Sequence, residues 1–86
     1  MKEVFIKERI LKQKNQNECI TIDIDEMKSW NLGDKVAITA LDKRNILRTG
    51  LFVLGELVAM KNITEKDAVY PKARYQFKIL GDCSKF

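Results

Sequence analysis

The stretch TGLFVLGELVAM, Thr49 to Met60, constrains this chain more than any other. It sets seven large apolar side chains, two glycines and one glutamate in consecutive positions. Its longest uncharged run, Thr49 to Gly55, is far short of the roughly 18 apolar residues of a membrane-spanning helix. The glycines argue against a buried helix, whereas the β-branched and aromatic content suits a strand covered on both faces. Glycine inside a strand marks a bulge, a barrel bend or the close approach of another backbone or ligand. Gly50 and Gly55 are therefore expected to set bends, and Glu56 to point outward beside Lys61 or Arg48.

Shorter periodic segments surround this strand. KEVFIKERILK alternates imperfectly and reads as a strand with Val4, Ile6 and Ile10 on one side. A helix is the alternative, because Phe5, Ile6, Ile10 and Leu11 also cluster at helical spacing. CITIDI alternates cleanly, with Ile20, Ile22 and Ile24 inward. DEMKSWN suits a short helix with Asp23 or Asp25 as N-cap. After the Leu32-Gly33-Asp34 turn, KVAITAL places Val36, Ile38 and Ala40 on one face. A charged loop closed by Pro71 leads to ARYQFKIL, where Tyr75, Phe77 and Ile79 alternate with Arg74, Gln76 and Lys78. The expectation is a mainly β fold: residues 1–86 as one small PUA-like or SH3-like barrel, closed or half-open, of five or six strands with one short helix, which also removes exposed strand edges.

Chemistry is bounded by what is missing. The chain has no histidine, which removes the commonest general base and any Ser-His or Cys-His nucleophile. Cys19 and Cys83 alone do not make a zinc site, and both are read as reduced thiols filling space. Asp23 and Asp25 share a strand face but read as solvated carboxylates. No enzyme activity, metal or cofactor is expected. MKEVFIKERIL is charged throughout, unlike a signal peptide, so the chain reads as soluble and cytoplasmic, without a membrane partner.

Net charge is +4 and unevenly spread along the sequence. Residues 18–34 carry five acidic side chains against Lys28, whereas residues 43–78 carry eight basic ones against three acidic. A basic half beside an acidic half suggests a polyanion-facing surface. Lys43, Arg44, Arg48, Lys72 and Arg74 are the candidate phosphate contacts. Trp30, Tyr70 and Tyr75 are the candidate stacking rings, since aromatic faces and guanidinium groups suit an unpaired base.

Two resemblances bear on this reading. LGDKVAIT, TGLFVLGELVAM and YPKARYQFKIL resemble the C-terminal half of PUA-like barrels of the EVE and ASCH type, with Gly33, Asp34, Gly50, Gly55 and Glu56 on the pattern. That resemblance implies binding of RNA, or of DNA carrying a modified base, in an aromatic-lined pocket between the 43–50 turn and the 64–74 loop. NECITIDIDEMKSWNLGDKVAI is similar to the AbrB-type swapped-hairpin unit, which implies an interlocked DNA-binding dimer. The leading expectation is a nucleic-acid-binding domain that reads an unpaired, flipped or modified base. The alternatives are a small protein–protein interaction or inhibitor module docking onto a larger protein, and the swapped-hairpin regulator.

Overall fold

A computed structural model describes residues 2–42, 44 and 47–82, with the side chains of 47–51 and 82 excepted. The fold is mainly β, with one short helix and one five-stranded sheet curled into a half-barrel. In chain order the elements are β1 (Glu3–Lys7), α1 (Glu8–Leu11), β2 (Cys19–Ile24), β3 (Lys35–Leu41), β4 (Leu47–Asn62) and β5 (Ala73–Asp82). Across the sheet the order is β1-β3-β4-β5-β2. β1 runs parallel to β3, and every other pairing is antiparallel.

The period-two pattern sets the inner face. Ile20, Ile22, Val36, Ile38, Ala40, Val53, Leu57, Tyr75, Phe77 and Ile79 converge there, joined by Val4, Leu11 and Ala73. β2, β3 and β5 thus present the faces that their alternation dictates.

The segment 49–60 forms the middle of a single 16-residue strand, β4. Its first part pairs with β3 and its second with β5, the two pairings overlapping around Val53–Glu56. Such a strand has to bend, and the register shows where. Against β5 it shifts between Leu54 and Gly55 and again between Leu57 and Ala59. Against β3 the partners pass from Thr39↔Phe52 to Leu41↔Leu47, an irregularity that includes Gly50. At Gly55 the reason for glycine is steric: a Cβ there would lie 2.7 Å from Ile38 Cδ1 and 3.2 Å from Phe77 Cβ.

Four sequence expectations are corrected. β4 is not covered on both faces: Val53 and Leu57 are buried, while Leu54, Val58 and Met60 remain more than a third exposed. KEVFIKERILK is a strand only as far as Lys7 and then turns into α1. Adjacent Ile10 and Leu11 both lean on the core, which a helical turn permits and an alternating strand does not. DEMKSWN forms no helix. Its backbone donors are committed elsewhere, the Lys28 N–H to Tyr75 Oη at 2.7 Å and the Asn31 N–H to Asp34 Oδ2 at 2.9 Å. The strand–helix–strand unit of the swapped-hairpin resemblance is consequently absent, and β2 and β3 are not neighbours in the sheet. Finally, the half-open form of the expected barrel does not remove the strand edges: among the described residues β1 and β2 each pair on one side alone.

The 31–34 turn is tied to β4 through the Gly33 N–H on Leu57 O (2.7 Å) and the Leu57 N–H on Asp34 O (2.9 Å). Gly33 adopts φ +95°, a left-handed conformation open to glycine without steric cost. Replacing Gly55 with Val is expected to cost about 2–4 kcal/mol through overpacking, and Gly55→Ala about 1–2 kcal/mol. Urea denaturation should show the midpoint falling in that order.

Candidate nucleic-acid interface

Opposite ends of the half-barrel carry different chemistry. One end holds α1, the 12–18 turn and the β3–β4 connection; the other holds the 25–34 and 63–72 loops. The candidate residues that the structure describes divide between these ends and the core.

Tyr75 is fully buried, and its hydroxyl accepts the Lys28 N–H. The half-buried Trp30 packs on it, with ring centroids 5.5 Å apart, and lies 6.4 Å from the ring of Phe77. Lys28 Nζ sits 5.6 Å from the Trp30 centroid, within range of a cation–π contact. This aromatic stack closes the bottom of the core, so Tyr75 has no face left for a base and Trp30 is largely used up. Tyr70 is the exception among the three rings. It is 72% exposed beside Val69, on a shallow concavity shared with Asp25, Glu65 and Lys72.

Arg74 is also committed. It donates from Nε to Asp23 Oδ1 at 2.9 Å and from Nη2 to Asp23 Oδ2 at 3.1 Å, a two-point pairing that matches the guanidinium fork to the carboxylate. The pair arises because β2 and β5 are neighbours with Asp23 directly opposite Arg74. Hydrogen bonding to Arg74 is the main cause holding the Asp23 carboxyl below its ordinary value, and the same contact raises Arg74. Lys72 is exposed, and its N–H binds Thr64 Oγ1 at 2.9 Å, which clips the loop.

Of the remaining candidates, the structure describes the whole of Arg44 alone, on the connection between β3 and β4. Arg44 is exposed, with its N–H on Asp42 Oδ1 at 2.8 Å and its guanidinium 3.8 Å from that carboxylate. Arg48 belongs to β4, but its side chain lies outside the described residues, as does Lys43 altogether. Between this connection and α1 lies a cavity of about 470 Å³, lined among the described residues by Lys7, Glu8, Arg9, Lys12 and Leu41. Glu8 pairs with Lys12 at 2.8 Å. Reading the first segment as a strand throughout hid Lys7, Arg9 and Lys12. Its helical alternative would have gathered them around one turn.

The acidic and basic stretches of the sequence meet at one ion pair among the described residues, and two further acids find cations outside the basic stretch. Asp23 meets Arg74, Glu56 meets Lys35 at 3.1 Å, and Asp34 meets Lys2 at 3.6 Å. Glu56 thus pairs across the β3–β4 ladder rather than with Lys61 or Arg48 as expected. Cys19 is a free, exposed thiol and fills no space in the core; Cys83 lies outside the described residues. No helix among them is long and apolar enough to cross a membrane.

No family model matches the chain, and neither a curated protein nor a solved structure is significantly similar to it.

The Asp23–Arg74 pair carries a pH signature. Because the folded-state pKa of Asp23 is lowered from 3.8, the pair contributes stability above that value and loses it as pH falls through the lower folded value. A carboxyl-carbon NMR titration should place the Asp23 midpoint below 3.8. Arg74→Ala should move that midpoint upward.

Proposed function

We propose that the chain is a nucleic-acid-binding domain whose contact surface is the α1 end of the half-barrel. The observation that carries this reading is the cavity of about 470 Å³ where Lys7, Arg9 and Lys12 outnumber Glu8, the partner of Lys12, around the apolar side chain of Leu41. Its volume is within the range of about 300–1,000 Å³ typical of pockets that take small organic groups. A single unpaired nucleoside fits that scale, with its apolar faces on Leu41 and its flanking phosphates on the cations. Arg44 stands on the adjoining connection and extends the basic surface along the strand of a bound polymer.

Electrostatics supports single-stranded nucleic acid over a neutral ligand. Lysine and arginine heads at the rim of a concave site attract a chain of phosphates, and each contact releases condensed counterions. Arg9 has no acidic partner among the described residues and is exposed, so phosphate binding there breaks no existing ion pair. Lys12 would have to give up one contact to Glu8, whereas Arg74 would have to give up a two-point pairing with Asp23. The half-barrel architecture also agrees with the PUA-like resemblance of residues 32–80. Base reading in this proposal falls to the cavity, not to Trp30 or Tyr75.

Fluorescence anisotropy with a short single-stranded oligonucleotide tests the proposal. Affinity should fall steeply with salt. Arg9→Glu combined with Lys12→Glu should weaken binding at least about tenfold and reduce the slope of log K against log salt by about 1.5. Arg74→Ala should leave affinity within about twofold. Salt-independent binding, or a loss confined to the Arg74 variant, would overturn the proposal.

A further inference from the structure

The half-barrel leaves a seam. β1 and β2 are the two ends of the sheet order, yet they line one groove of about 330 Å³ together with the chain that follows β2. Val4, Ile22 and Ile24 contribute to it, and all three belong to the apolar core or pack against it. Val4 and Ile22 are buried at its floor, while half-buried Ile24 and exposed Phe5 give it apolar surface, beside a strand whose backbone groups on one side have no partner among the described residues. Such an edge is a template for another extended chain.

Charge identifies the kind of chain. Glu3, Asp23, Asp25 and Glu26 line the groove against the single cation Lys28, and Lys28 already pairs with Glu26. Asp25 has no cation partner among the described residues. A second copy offering its own β2 would bring Asp23, Asp25 and Glu26 against their counterparts, and like charges placed across a strand pair are repulsive. A basic segment meets no such penalty.

We infer that the free edge of β2 takes an extended segment of a partner protein in which basic and aliphatic residues alternate, as an added strand. The pleat determines which positions do what. Side chains on the inner side of the added strand lie over Ile22 and Ile24. Those on the outer side stand beside Asp23 and Asp25, so that Asp23 has Arg74 on one flank and a ligand cation on the other. This surface is separate from the basic cavity beside α1, and charge reversal at Arg9 and Lys12 leaves it intact.

A blocked heptapeptide of alternating lysine and valine is the direct probe, titrated into the full chain and followed by amide NMR shifts. Saturable shifts along Cys19–Ile24 are expected. Asp25→Lys with Glu26→Lys, both at exposed positions, should weaken binding at least about tenfold. N-methylation of the peptide backbone should abolish binding at one set of alternate positions and spare the other, because only one set faces β2. Equal affinity for a scrambled peptide of the same composition, or methylation effects without period two, would contradict the inference. So would self-association of the chain through β2, or displacement of the peptide from β2 by an oligonucleotide.

Discussion

The close approach of Ile38 and Phe77 to the backbone at Gly55 accompanies the bend by which one strand serves two parts of the sheet. β4 pairs with β3 along its first half and with β5 along its second, and the inner faces of both partners have to meet where it turns. With no side chain at residue 55, Ile38 and Phe77 close over the backbone, and both are fully buried. Truncating a buried aromatic ring such as Phe77 costs about 3–5 kcal/mol, a large part of the 5–15 kcal/mol that holds a typical domain folded. The bend and the core are thus one feature.

That bend also governs where chemistry can gather. β4 carries the chain from one end of the half-barrel to the other, so the connection at its start and the loop after it cannot share a pocket. The basic residues of the first end stand around a cavity, while Tyr70 and Val69 project from the other. Antiparallel pairing of β2 with β5 sets Asp23 on Arg74, which leaves that guanidinium already paired. Curling stops short of closure, and the margin of the core remains open between β1 and β2.

Much of this was legible in the sequence. The clean alternation of CITIDI and ARYQFKIL identified their inner faces, and the glycines of the 49–60 stretch marked its irregularities. What misled was local pattern without tertiary context. DEMKSWN has helix-favouring ends, but Tyr75 and Asp34 claim its backbone donors from residues far along the chain or across a turn. KERIL looked like a continuation of a strand, because nothing local states that Ile10 and Leu11 must face the same way. Charge segregation along the sequence was mistaken for segregation in space, which strand order alone decides. Two of the three aromatic candidates are committed to the core for a related reason: Tyr75 lies on the inward parity of β5, and its neighbour Trp30 folds onto it. By the same parity rule Tyr75 belongs with Phe77 and Ile79, a signal present in the sequence from the start.

Two surfaces follow from this arrangement, a concavity beside α1 in which cations outnumber Glu8 and an acidic strand edge at β2, and the partners proposed for them differ. The placement of nucleic-acid contacts at the α1 end is the central claim, and mapping amide shifts on titration with a single-stranded oligonucleotide examines it most directly. Shifts concentrated at Lys7–Lys12, Leu41 and Arg44, with Val69, Tyr70 and Arg74 unmoved, are the expected result. Shifts concentrated on the 63–74 segment, or none at low salt, would contradict it.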